Sequence, residues 1–118
     1  MRYLKLSVVL FFLLGCYSRV PHVQFKIENK DNVLVSNIQI SNGFDQLSMD
    51  TIYPKENKQL ELKFDKTPKH DGGYQVKYKI ENNFTLRNFG YYTNGYPTNS
   101  IFFLTFKKDT LMIREKIK

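Results

Sequence analysis

From Val23 onward the chain exchanges apolar and polar residues one for one. Val23, Phe25 and Ile27 alternate with Gln24, Lys26 and Glu28. Successive side chains of an extended strand point to opposite faces, so this run predicts a strand with one face buried. Asn29 to Asn32 are turn residues. Leu34, Ile38 and Ile40 share a parity with Ser36 between them, predicting a second strand closed by Ser41-Asn42-Gly43, and Leu47, Met49 and Thr51 form a weaker third run that ends before Tyr53-Pro54. The fourth and fifth runs are the sharpest. Leu60, Leu62 and Phe64 stand against Gln59, Glu61 and Lys63; Tyr74, Val76, Tyr78 and Ile80 stand against Gln75, Lys77 and Lys79.

After Asn82-Asn83, Phe84 and Leu86 open a sixth strand. Residues 101 to 106 are apolar on both parities, the mark of a strand covered on both faces. Lys107-Lys108-Asp109 then turns into a last short strand through Leu111 and Ile113, with a terminal helical turn open to the final residues. No window sustains the three-four apolar spacing of a capped helix. Seven to eight short strands separated by turn chemistry predict an all-β fold, a single antiparallel β-sandwich. Its core is expected to hold Phe25, Ile27, Ile38, Ile40, Leu60, Leu62, Phe64, Tyr74, Val76, Tyr78 and Ile80.

The first sixteen residues, MRYLKLSVVLFFLLGC, break the alternation. Arg2 and Lys5 make a basic start, and Leu6 to Leu14 is apolar except for Ser7. As a helix this run rises only about 14 Å against roughly 30 Å of bilayer hydrocarbon, so it fits a cleavable signal segment better than a membrane span. At its end stands Leu13-Leu14-Gly15-Cys16. This motif resembles the lipobox of bacterial lipoproteins. The resemblance implies that Cys16 Sγ receives a diacylglyceryl group, that a signal peptidase cuts between Gly15 and Cys16, and that the new amine is acylated, palmitate being one such chain. Two or three chains anchor a protein stably where one does not. The organisation expected is a signal peptide over 1–15, a lipidated Cys16 and short tether over 16–21, and the sandwich over 22–118. The tether from Tyr17 to Pro21 reaches at most about 17 Å, which keeps the domain close to the bilayer. The expected location is the cell membrane, lipid-anchored, and the outer membrane in a Gram-negative host because Tyr17-Ser18 carries no acid.

Composition changes this picture little. The chain has 118 residues, 42% hydrophobic and 25% charged, with a net charge of +7, which are globular values. The basic excess allows nucleic acid, acidic partners or anionic headgroups. Lys63, Lys77 and Lys79 sit at alternate strand positions, the pattern of a solvated sheet face, and no run clusters cations as nucleic-acid readers do. A single cysteine excludes an intramolecular disulfide. Acylation of Cys16 also takes the only thiol out of catalytic, redox or metal chemistry.

Within the fifth run, Asp71-Gly72-Gly73-Tyr74-Gln75-Val76 resembles the start of the penultimate strand of immunoglobulin-like domains. There a glycine precedes the corner tyrosine by two residues and a core residue follows it by two. Asp71 lies one residue closer to Tyr74 than in that pattern, and Val76 stands where a disulfide cysteine would be. Transthyretin-like sandwiches share the spacing, so the strand topology stays open. As a whole the chain resembles small lipoproteins with one immunoglobulin-like domain.

Catalytic chemistry is hard to place. The two histidines are His22, at the start of the first strand, and His70, beside Asp71 in a loop. Adjacent residues rarely bind one ion together, and the expected role of Asp71 is to bond its own backbone in a turn. Glu28, Glu61 and Glu81 occupy polar parities, and neither a phosphate loop nor a nucleophile elbow is present. The reading is a non-enzyme without cofactor or metal. The distinctive segment runs from Asn88 to Asn99, where Tyr91, Tyr92 and Tyr96 surround Asn94. Tyrosine offers a large contact area with a polar tip at low entropic cost, which suits a sugar face or a protein surface. Equally, Asn94-Gly95 is a favoured hairpin pair whose tyrosines can close the end of the sandwich. Consecutive Tyr91 and Tyr92 must face opposite ways, and the outward ring is expected to pair with Tyr96. The function expected is a membrane-anchored, non-catalytic protein working through protein contacts in the envelope; the alternative is a glycan- or peptide-binding module built on residues 89–97.

Overall fold

The structure is a computed structural model and describes residues 20–118. The expected signal segment over 1–15, the expected lipidation site Cys16 and the part of the expected tether before Val20 lie outside the described residues. Nine strands follow one another: β1 (His22–Asn29), β2 (Val35–Ser41), β3 (Gln46–Ile52), β4 (Asn57–Lys63), β5 (Gly72–Ile80), β6 (Asn83–Thr93), β7 (Tyr96–Pro97), β8 (Ser100–Lys107) and β9 (Thr110–Ile117). They form two packed sheets, β4-β1-β8-β9 and β3-β2-β5-β6-β7. The all-β sandwich is therefore the one the alternation predicts.

Its details differ from expectation in four places. The ninth strand is the two-residue β7, created by the Asn94-Gly95 hairpin. The β1–β8 ladder is parallel while the others are antiparallel; the six strands between β1 and β8 supply the long crossover that a parallel pair needs. β1 and β2 lie in different sheets, a departure from the immunoglobulin order in which the first two strands share one. The last residues extend β9 to Ile117, opposite Ser100, instead of coiling.

Seventeen apolar or aromatic side chains are buried between the sheets. Of the expected core, Leu60 and Ile80 are only half-buried against it, because one lies on the edge strand β4 and the other at the end of β5. β2 shows why simple parity misses residues. Asn37 has φ of 51° and the ladder to β5 shifts between Ser36 and Gln39. This bulge turns both Val35 and Ile38 inward, leaving Leu34 outside. β8 is covered on its inner face by the core, while its outer face is half-buried: Phe103 lies under Lys26 and Arg114, 5.7 and 4.7 Å from the ring centre. In β6 the apolar parity of Phe84 and Leu86 faces solvent. Lys77 and Lys79 lean over Phe84 at 5.2 and 5.4 Å, and Arg87 on the opposite parity donates to the Leu111 carbonyl across the two sheets.

The centre of the core is aromatic. Phe25, Tyr74, Phe89 and Phe102 meet with ring centres 5.2–6.0 Å apart, mostly edge to face, and Phe64 and Tyr92 extend the cluster toward the end of the sandwich where the chain begins.

Candidate functional site

The tyrosine hairpin occupies that end. Asn94 and Gly95 have φ of 55° and 72°, the two positive values that a tight primed turn demands. The turn is not free. The Asn94 N–H donates to Asp71 Oδ1 at 2.8 Å, and the Gly95 N–H donates to the His70 carbonyl at 2.8 Å. A Cβ on Gly95 would lie 2.5 Å from the Pro68 carbonyl oxygen, so only glycine allows the hairpin to dock on the loop between β4 and β5.

Tyr92 fixes the hairpin from below. Its ring is buried against Phe64 and lies over Gly72, where a Cβ would come within 2.5 Å of the ring. Its hydroxyl donates to the Asn42 carbonyl at 2.8 Å. The Asn42 side chain in turn donates to Thr67 Oγ1 and accepts the N–H groups of Phe44 and Asp45. The buried Asp45 carboxylate accepts the Lys66 N–H and the Thr67 hydroxyl. Burial, and secondarily the charge of Asp45, push the Tyr92 hydroxyl above the usual tyrosine range. The turn 42–45 is thus tied to the loop 64–71 through Asn42 and Asp45 and to β6 through Tyr92, and the Asn94-Gly95 turn is tied to the same loop through His70 and Asp71.

A bulge aims the neighbouring rings outward. Gly90 has φ of +60°, and a Cβ there would sit 2.7 Å from the Phe102 ring. It lets β6 place both Phe89 and Tyr92 on the core side, three residues apart, with Tyr91 outward. Tyr91 and Tyr96 are each 63% exposed, while Tyr92 is 1% exposed. Both outward rings lie on the face that carries Thr93, since Thr93 stands directly opposite Tyr96. The expected cross-strand pair of Tyr91 with Tyr96 is therefore corrected: the direct neighbour of Tyr96 is Thr93, and Tyr91 is diagonal to it. Asn94 is exposed and serves through its backbone.

Other placements also change. The Tyr92 hydroxyl is bonded to a distant backbone carbonyl, whereas the buried Tyr74 hydroxyl has no partner. Burial, with Glu115 and Tyr92 nearby, raises the Tyr74 hydroxyl far above its ordinary range. Asp71 bonds across to Asn94 instead of to its own turn, and His70 packs edge-on against Phe44 with ring centres 5.0 Å apart. Among the described residues no group of three His, Cys, Asp or Glu side chains is placed to share a metal ion. Sequence reasoning missed the latch residues Asn42 and Asp45. Their only local signal is the turn chemistry of Asn42-Gly43, since the partners that tie this turn to other parts of the chain lie more than twenty residues away.

A shallow groove completes this end. Val20, Pro21 and His22 form one wall, and Tyr96, Pro97, Thr98 and Lys118 form the other. Comparison with known proteins finds no matching family model, no matching curated protein and no matching solved structure.

Proposed function

We propose that this chain is a lipid-anchored protein of the bacterial cell envelope that works without catalysis, by presenting the face of Tyr91, Asn94 and Tyr96 to a protein partner. The observation that carries the reading is the contrast among three tyrosines of one hairpin: Tyr92 is locked into the core by the Asn42 bond, and Tyr91 and Tyr96 stand exposed on the frame it holds. Rings held on a rigid support lose little freedom on binding, which is what a recognition surface needs. The anchor rests on Leu13-Leu14-Gly15-Cys16 and the basic, apolar segment before it.

A second reading, a glycan- or peptide-binding module, draws on the same two rings, because exposed tyrosine faces stack on sugars as readily as on apolar side chains. In-cell crosslinking followed by mass spectrometry separates the two: a recurrent protein partner that disappears in the Tyr91→Ala variant supports the first, and none above background opposes it. Anchoring has its own test. Replacing Cys16 by Ser removes the thiol nucleophile, so lipid labelling is lost and the precursor stays uncleaved; a processed, membrane-retained Cys16→Ser protein contradicts it.

A further inference from the structure

We infer that the rim formed by Val20, Tyr96, Pro97 and Ile117 rests on the headgroup layer of the bilayer that holds Cys16, so that the sandwich stands on its tyrosine hairpin. The inference rests on the lipid-anchor reading above and adds the surface that meets the lipid. Position comes first. The chain joins the domain at Val20–His22, and these residues form one wall of the groove whose other wall includes Tyr96 and Pro97. Four residues from Cys16 to Val20 span at most about 14 Å, so acyl chains on Cys16 hold this groove at the membrane surface. The opposite end also exposes single apolar residues, Leu34 and Tyr53, but it lies a full strand away, about 26 Å for the eight residues of β1. Scattered apolar residues are ordinary on any surface; their distance from the anchor decides which of them meet lipid.

Chemistry agrees with position. Val20, Tyr96 and Ile117 are 38%, 63% and 78% exposed. A tyrosine ring with its polar tip sits naturally at headgroup depth, flanked by lysines whose stems cover apolar surface while their ammonium groups reach phosphates. Lys116 and Lys118 are exposed beside Ile117 and fit that role. The rim is also preformed: Gly95 is seated on Pro68, and the Lys118 N–H donates to the Asn99 carbonyl at 2.8 Å. In this stance Tyr96 passes from the partner-facing surface proposed above to the lipid boundary, and that surface narrows to the part bearing Tyr91, which rises from the boundary free for a protein.

The absence of tryptophan from the chain makes the test direct. The lipidated protein carrying Tyr96→Trp, and separately Tyr53→Trp, is reconstituted into phosphatidylcholine–phosphatidylglycerol vesicles with and without brominated acyl chains. The Tyr96→Trp emission is expected to shift to shorter wavelength and to be quenched by the brominated lipid, whereas Tyr53→Trp keeps a water-like, unquenched spectrum. A water-like, unquenched Tyr96→Trp signal on protein whose Cys16 is acylated by mass spectrometry overturns the docking and leaves the anchor standing. An unmodified Cys16 overturns both. A shift at Tyr96→Trp that requires an added envelope protein and not the vesicle assigns the rim to a protein and overturns the lipid surface.

Discussion

The two ends of the sandwich are closed by the same device, a buried polar side chain bonded to several neighbours, and differ in what stands beside it. At the end away from the tether, Asn29 is fully buried: its amide donates to the carbonyls of Val33 and Ile52, and its Oδ1 accepts the Asp31 N–H. Its backbone is paired with Glu56 and Lys55, and Lys30 next to it donates to Phe106. The turns there are short, and one satisfied amide stitches them shut. At the end where Val20 enters the domain, Tyr92, Asn42 and Asp45 do the equivalent work for the turn 42–45, the longer loop 64–71 and the hairpin of β6 and β7. Buried polar groups are tolerable only when fully paired, so both hubs specify one geometry. The Tyr92 hub leaves neighbouring side chains unconsumed. Tyr91, Tyr96 and Phe44 are exposed on a frame that is itself fixed. Both ends expose apolar residues, Leu34 and Tyr53 at the far one; what sets this end apart is that its exposed tyrosines flank the buried Tyr92.

The comparison breaks most severely at Tyr92. Tyr92→Ala removes a ring from the core and frees the Asn42 carbonyl, and should cost about 3 to 5 kcal/mol, much of a small domain's stability, measured by urea unfolding. Asn29→Ala should cost roughly 2 kcal/mol by stranding two carbonyls and one N–H. Amide exchange should then rise at Asp31 and across residues 53–56 but not at Asn94 or Gly95; exchange that rises equally at both ends would show that the hubs are not independent.

A gentler pair separates the two core tyrosines. Tyr92→Phe loses one buried hydrogen bond and should cost about 1 kcal/mol, whereas Tyr74→Phe removes a hydroxyl without a partner and should be neutral or stabilising. Their pH dependence follows from the raised hydroxyls. Native Tyr74 and Tyr92 keep their protons when unfolded tyrosines, near pH 10, release theirs. The associated stability is whole below about pH 10 and is lost as pH climbs from there toward the raised native values. Melting followed from pH 8 upward should fall above pH 10, and less steeply in Tyr74→Phe.

Strands with one buried face were legible because period two is a local signal: β1, β4 and β5 follow their alternation, as Phe25, Leu62 and Tyr74 show. What escaped was set by distant partners. Val35 entered the core through a bulge at Asn37, and Tyr92 through a bulge at Gly90 packed under Phe102; neither close approach is visible along the chain. Phe84 and Leu86 mark a strand along the sequence, yet their parity faces solvent, because the opposite parity of β6, with Thr85 and Arg87, is the one turned toward the other sheet. At the site, the opposed directions of Tyr91 and Tyr92 could be read from strand geometry. Which of the two is locked inside depended on Asn42, fifty residues earlier.

Under the proposed function Tyr91 is free for contact because Tyr92 is held in the core. Partner recovery by in-cell crosslinking, measured alongside thermal melting for Tyr91→Ala and Tyr92→Phe, tests it most directly. The account predicts that Tyr91→Ala loses the partner with stability within about 0.5 kcal/mol of the parent, as for surface substitutions generally, while Tyr92→Phe melts lower and retains the partner at temperatures where it is folded. A Tyr91→Ala protein that loses the partner only in proportion to a lowered melting temperature, or that keeps the partner in full, contradicts it.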